Sequence, residues 1–142
     1  MPRCLGEGTL LPVLDPHNAP WFTSGRLQTP SCNDCNTSQF PPEDVCIGCR
    51  SANLEFREAS GDGTVESAVE VHFPVHPQLK DRVPYNIAVI SIDGAPRCNA
   101  IGNLTNLGSG DVEISQRVRA IYEEAIDPSS GEKLLIPNWE AI

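Results

Sequence analysis

Two closely spaced cysteine pairs constrain the fold of this 142-residue chain more than any other feature of its sequence. Cys32 and Cys35 form one C-x2-C pair, and Cys46 and Cys49 form a second pair after a ten-residue spacer. Each pair suits a tight turn that directs two sulfurs at one cation, and four such sulfurs make the tetrahedral site that zinc prefers. The spacing therefore predicts one zinc per chain, which would stabilise a ribbon too small to fold alone.

The same four cysteines leave two alternatives open. Two disulfides would require an oxidising compartment, which nothing in the sequence indicates, and iron could be bound by the same sulfurs. Because four protein ligands fill a tetrahedral site, no position remains for a reacting water, so the predicted zinc is structural. Gly48 in the second pair, and Asn33, Asp34 and Asn36 in the bend of the first, are residue types that tolerate the positive φ expected at such turns.

The two remaining cysteines, Cys4 and Cys98, are interpreted as packing residues. Cys98 could instead be a nucleophile, but its nearest histidines in sequence, His72 and His76, give no evidence of a catalytic dyad. We therefore predict no catalytic residue, and we expect the chain not to be an enzyme by itself.

Net charge limits the classes of partner. The chain has 10 Lys and Arg against 19 Asp and Glu, a net charge of −9 at pH 7. Nucleic acid and anionic membranes are bound mainly through a surplus of basic residues, so we expect neither as a partner. A basic or neutral protein surface suits this charge better. Because no segment approaches the roughly 20 apolar residues of a membrane span, a cytoplasmic location is expected.

The pattern along the chain predicts a mainly β protein in three parts. Residues 1–18 form an irregular leader with three prolines, 19–53 a short helix and the zinc ribbon, and 54–142 a barrel with a C-terminal tail. Within the last part, a hairpin is predicted around Asp93 and Gly94, and a short strand or extended tail at 134–142. Within 110–126 a strand is favoured over a helix, although 118–126 is ambiguous. Together with two runs in 54–73, these make five or so runs with Gly turns, which favour a five-stranded OB-fold barrel.

Trp21 and Phe22 stand side by side just before the ribbon. They could cover the ribbon and its neighbour, or they could form an exposed aromatic anchor, which protein interfaces favour. We take them as candidate partner-binding residues.

Several short motifs occur in a characteristic order: "WFTSGRL", the two cysteine pairs, "FPP" in the spacer, "GDGTV", "PYNIAVISIDG" and "IPNW". In this order they resemble the rubredoxin-like zinc-ribbon/OB-fold proteins that accompany thiolases and other thiolase-fold acyltransferases. The resemblance extends from about residue 19 to residue 139. It is strongest to the small subunits of bacterial phloroglucinol acetyltransferase complexes, which take part in diacetylphloroglucinol biosynthesis.

The resemblance implies a non-catalytic bridging subunit. Thiolase-fold chains would be its partners in a hetero-oligomer, one of them would carry the catalytic cysteine, and acetyl groups would pass to a phenolic ring. It also implies that the segment with Trp21 and Phe22 lies against a thiolase-fold chain. The alternative is a free-standing zinc-ribbon and OB module that binds single-stranded nucleic acid or acyl-CoA.

Overall fold

The computed structural model describes residues 10–95 and 97–142, so Cys4 lies outside the described residues. Within these residues, one short helix and seven strands follow one another, with a single turn of 3-10 helix at Pro77–Leu79. In chain order they are α1 (Ala19–Thr23), β1 (Gln28–Cys32), β2 (Leu54–Glu58), β3 (Asp62–Val71), β4 (Tyr85–Ile92), β5 (Asn99–Gly102), β6 (Arg117–Ile126) and β7 (Lys133–Ala141). The prediction of a mainly β chain with a short N-terminal helix is confirmed.

The helix α1 begins where the sequence analysis expected it. Pro20 lies in its first turn, where a missing backbone N–H costs nothing because that group has no partner within the helix. The helix presents Trp21 to the interior.

The strands β1 and β2 form a separate two-stranded antiparallel sheet that frames the cysteine pairs. Their register runs from Gln28 opposite Glu58 to Cys32 opposite Leu54, so the first cysteine ends β1. The sequence analysis placed residues 54–58 at the start of the barrel, but their backbone groups pair with β1 in the ribbon. The division of the chain at residues 18 and 53 stays a prediction.

The other five strands form one sheet in the order β5-β4-β3-β6-β7. The long strand β3 lies between β4 and β6 and pairs with both. A parallel bridge between Leu104, just after β5, and Trp139 in β7 brings the two ends of the sheet together. This is the predicted five-stranded OB-type barrel.

The predicted strand assignments agree with this sheet. The hairpin around Asp93 and Gly94 is formed by β4 and β5, and residues 117–126 are strand β6 rather than helix. The C-terminal segment is longer than predicted. It is a nine-residue strand, β7, that pairs with β6 from Lys133 to Ala141.

The hydrophobic core fills the barrel and extends to the helix. It includes Cys98, which is fully buried, and Trp21 of α1. The other buried core residues are Leu27, Val65, Ala88, Ile90, Ile92, Ala95, Ala100, Leu104, Val118 and Trp139.

Asparagine side chains satisfy the backbone where the barrel closes. The side chain of Asn86 donates to the Leu104 carbonyl at 2.9 Å and accepts from the Leu104 N–H at 2.7 Å. Asn138 accepts from the Asn103 N–H at 3.1 Å. Next to them, a Cβ at Gly102 would lie 2.7 Å from the Trp139 ring, so only glycine permits this close approach. Closure therefore depends on side-chain hydrogen bonds as well as on strand pairing.

We predict that Asn86→Ala lowers the free energy of unfolding by about 2 kcal/mol, because it leaves the buried N–H and C=O of Leu104 without partners. Denaturant unfolding measures the change. Asn99→Ala, at an exposed position of β5, is the control and should change stability by no more than about 0.5 kcal/mol. Equal effects of the two substitutions would contradict this role of Asn86.

Candidate metal centre

The two cysteine pairs fold into turns with the same hydrogen-bond pattern. The Cys32 carbonyl accepts from the Asn36 N–H at 2.9 Å, and the Cys46 carbonyl accepts from the Arg50 N–H at 2.9 Å. The residue after each pair has positive φ, 61° at Asn36 and 64° at Arg50. Of the three residues expected to tolerate positive φ in the first turn, Asn36 adopts it, and Asn33 and Asp34 do not. At Arg50 no sequence signal indicates it.

Gly48 has a different role from the one predicted. It is not among the residues with positive φ. A Cβ at this position would lie 3.2 Å from the Thr37 hydroxyl and 3.6 Å from the sulfurs of Cys35 and Cys46. Glycine here avoids a tight contact with the Thr37 hydroxyl beside the sulfurs, and it does not serve the backbone conformation.

The four cysteines predicted as ligands are brought together. Their sulfurs all lie within 4.8 Å of one another, with 3.6 Å between Cys32 and Cys49 and 3.5 Å between Cys35 and Cys46. A tetrahedron with metal–sulfur bonds of about 2.3 Å has edges of about 3.8 Å, which these separations approach. All four are free thiols. The donor set fits one tetrahedral metal ion, and zinc as its identity stays a prediction.

Ionisation of the four thiols also favours a bound cation. Hydrogen bonds with the Thr37 side chain and backbone lower the pKa of Cys35 to about 6. A hydrogen bond with the Ser51 backbone acts to lower the pKa of Cys49, but the neighbouring thiols and burial outweigh it and raise that pKa to about 12. Without a cation, Cys35 therefore loses its proton readily whereas Cys49 retains its proton. A divalent ion removes that difference, because ligating thiols lose their protons.

Two side chains that the sequence analysis did not single out hold the turns in place. Gln39, fully buried, donates to the Val45 carbonyl at 3.0 Å and accepts from the Ile47 N–H at 3.0 Å, which ties the spacer to the second turn. Arg57 of β2 donates to the side chains of Asn36 and Asn33, at 2.7 Å each, and so holds the first turn. The Arg57 contacts bridge segments 21 and 24 residues apart, so no local pattern predicts them.

We predict one zinc per chain in protein purified without chelators, and loss of that metal in Cys46→Ser, with an unfolded ribbon and reduced solubility. Elemental analysis of the purified chain measures the metal. Cys98→Ala is the matched control, since Cys98 belongs to the barrel core and should keep the full metal content when replaced. Metal well below one per chain in the unsubstituted protein would contradict the assignment.

Trp21 lies in the core rather than on the surface. It is 3% exposed, and the centroid of its ring is 4.7 Å from that of Phe40, which belongs to the spacer between the cysteine pairs. Phe22 is partly buried and packs against the same core. Trp21 thus joins α1, the ribbon and the barrel, whereas part of Phe22 remains accessible. Partner binding by the two residues stays a prediction.

We predict that Trp21→Ala lowers the free energy of unfolding by about 3 kcal/mol or more, because it removes a large buried ring at the junction of three elements. Phe22→Ala removes the partly buried ring next to Trp21 in sequence, and it should lower the free energy of unfolding clearly less. Denaturant unfolding measures the free energy of unfolding of both variants. A larger decrease in Phe22→Ala than in Trp21→Ala would contradict the assigned roles.

Cys98 is not placed for nucleophilic chemistry. It is fully buried among core residues, and this burial raises the pKa of its thiol to about 12. A nucleophilic cysteine needs an accessible thiolate, so the geometry agrees with the interpretation of Cys98 as a packing residue.

The two histidines considered as bases for Cys98, and the exposed Asp93, lie apart from one another and have other partners. His72 contacts the Glu70 carboxylate at 2.5 Å, and His76 caps the 3-10 turn that follows it. Asp93 pairs with the Arg117 guanidinium at 2.5 Å, which lowers the pKa of that carboxyl. None of the three is paired with Cys98 in the described part of the chain. No described helix has the length and apolar character needed to cross a membrane.

Comparison with known families agrees with the two sheets and their order. Residues 23–55 match the family described as "ChsH2, rubredoxin-like zinc ribbon domain", and residues 56–123 match "ChsH2, C-terminal OB-fold domain". The chain belongs to the ChsH2-type zinc-ribbon and OB-fold family. The two matches adjoin one another at the end of the ribbon and together contain all four clustered cysteines.

Individual relatives share this architecture. A DUF35 domain-containing scaffold protein of Methanocaldococcus jannaschii is 33% identical over 94 residues, which are 64% of this chain. The match spans 63% of that relative's length, less than two thirds of it. Among solved structures, an "Ltp2-ChsH2(DUF35) aldolase" is 29% identical with a TM-score of 0.71, covering 92% of this chain and 98% of that one.

A second solved structure supports the fold alone. It is a DUF35-family protein of unknown function from Sulfolobus solfataricus, 15% identical, with a TM-score of 0.50 over 68% of this chain and 69% of that one.

Proposed function

We propose that this chain is a non-catalytic scaffold subunit of a thiolase-fold acyltransferase complex. The observation that carries the proposal is the four-cysteine cluster, which fits a tetrahedral metal with no position left for substrate or water. Such a metal gives the ribbon its shape and performs no chemistry. The buried Cys98 supplies no accessible nucleophile in its place. A partner chain would therefore carry the catalytic cysteine.

The relatives support a role beside another chain. One of them is named a scaffold protein, and another is an aldolase named for two components, Ltp2 and ChsH2(DUF35). The resemblance to acetyltransferase small subunits, carried by "GDGTV" and "PYNIAVISIDG", extends the proposal to its finer form. In that form the complex sits in the cytoplasm and transfers acetyl groups to a phloroglucinol-type phenol, and the subunit contains structural zinc.

In the proposed complex, Trp21 and Phe22 have different roles. Trp21 holds α1 on the core and so fixes the position of Phe22, whose accessible part would meet the partner.

The charges of the barrel disfavour the alternative, a module for nucleic acid or acyl-CoA. Three of its cations are engaged in ion pairs: Arg117 with Asp93, Arg119 with Asp62 and Lys133 with Glu124. With a net charge of −9, the chain offers little attraction to phosphate groups.

The proposal is tested by co-expressing the chain with candidate thiolase-fold chains from the same organism. Acetyl transfer from acetyl-CoA to phloroglucinol is then measured for the complex and for each component. We expect turnover only from the assembled complex. Cys98→Ala should change that turnover by less than about twofold, since no interaction made only in the transition state is lost.

Two outcomes would contradict this function. One is acetyl transfer by the isolated chain. The other is loss of turnover in Cys98→Ala while assembly and metal content remain normal.

A further inference from the structure

The face of β3, β4 and β5 that points away from the core is apolar. Burial alternates along β4, so that Tyr85, Ile87 and Val89 lie on the outer side while Asn86, Ala88 and Ile90 lie inside. The register of the three strands then brings apolar residues opposite one another on this outer side. Its three cross-strand pairs, which we call the outer face, are Val69 with Ile87, Val71 with Tyr85, and Val89 with Ile101.

Members of this surface are unusually exposed for large apolar side chains. Val69 is 58% exposed and Ile101 is 60% exposed. The segment after β3 adds Phe73, 78% exposed, and Val75, 75% exposed. Single exposed apolar residues are ordinary, but a contiguous group on one face is typical of an interaction site.

The neighbouring strand β6 has a different character. It carries Arg117, Arg119 and Glu124, and each is held in an ion pair. Strand β4, "YNIAVISI", has no charged residue at all. The outer surface of the barrel therefore has a charged region on β6 and an apolar region on β3, β4 and β5, and covering the apolar region removes apolar surface from water.

The charges around the outer face determine which class of partner it can bind. One exposed carboxylate, Glu66, lies beside this face at the irregularity in the β3–β4 pairing, whereas Glu70 lies opposite Asn86 on the other side of the sheet. Lys80 and Asp81, also exposed, come later in the β3–β4 loop and nearly cancel one another. Nucleic acid, acyl-CoA phosphates and anionic lipid would be repelled by Glu66 and by the net charge of −9. A protein surface with apolar side chains at its centre and Lys or Arg at its edge is complementary to it.

We propose that the outer face, together with Phe73 and Val75, is the docking surface for the thiolase-fold partner chain. This inference rests on the proposed function, and it locates the main contact on the barrel rather than on α1. The partner contributes an apolar patch with basic residues opposite Glu66. A second copy of this chain, equally acidic, fits this face less well.

The test compares isoleucines of equal exposure on different faces. Ile101 is 60% exposed on the outer face, and Ile126 is 62% exposed at the end of β6. In co-expression with the thiolase-fold chain, Ile101→Lys should weaken the complex at least about tenfold, because a cation replaces a central apolar contact. Ile126→Lys should leave affinity unchanged within about twofold. Val69→Lys provides a second variant of the outer face, and circular dichroism and metal content check folding.

A further substitution tests the charge of the partner. Ile101→Glu should weaken the complex less than Ile101→Lys, since a basic border attracts the carboxylate and repels the ammonium. If Ile101→Glu weakened the complex more than Ile101→Lys, the proposal of basic residues at the edge of the partner's surface would be wrong.

The possible results separate the two proposals. If the unsubstituted chains assemble and folded Ile101→Lys and Val69→Lys assemble equally well, the docking surface is wrong and the scaffold function stands. If the unsubstituted chains do not assemble at all, the scaffold function fails and the docking surface fails with it. If the chain alone is a dimer by light scattering and Ile101→Lys makes it a monomer with partner binding intact, the occupant is a second copy and the proposal is overturned.

Discussion

The convergence of four cysteine sulfurs is the constraint on which the ribbon depends. The spacer between the cysteine pairs has no strand or helix of its own, and its ends are fixed where the sulfurs meet within 4.8 Å. This fixing positions Gln39 inside the ribbon and Phe40 against Trp21. Because Trp21 belongs to the barrel core, the shape of the metal site is transmitted through one aromatic contact to the other domain.

The outer surface of the barrel has two unlike regions. Asparagine side chains complete the junction between β5 and β7, so the closed sheet needs no partner to satisfy its backbone there. Ion pairs occupy the β6 side, and apolar cross-strand pairs occupy the side of β3, β4 and β5. A subunit that supplies shape rather than chemistry needs such a division, with one side kept in water and one side able to bind.

Local sequence patterns predict the features that depend on neighbouring residues. The cysteine spacing predicts the cluster, and alternation with Gly turns predicts the hairpin of β4 and β5 and the strand β6. Features that depend on distant partners escape such patterns. The sequence pattern of residues 54–58 is that of a barrel strand. Only their pairing with β1, which no local pattern indicates, assigns them to the ribbon. The burial of Trp21 depends on Phe40, and the role of Gly48 depends on the position of Thr37.

The central claim is that this chain shapes a complex in which another chain performs the chemistry. Native mass spectrometry of the co-purified complex after incubation with acetyl-CoA tests it most directly. The account predicts a hetero-oligomer in which this chain carries one zinc and no added acetyl group, while a thiolase-fold chain gains the mass of one acetyl group. An acetyl group on this chain at Cys98, with the partner chains unmodified, would contradict it.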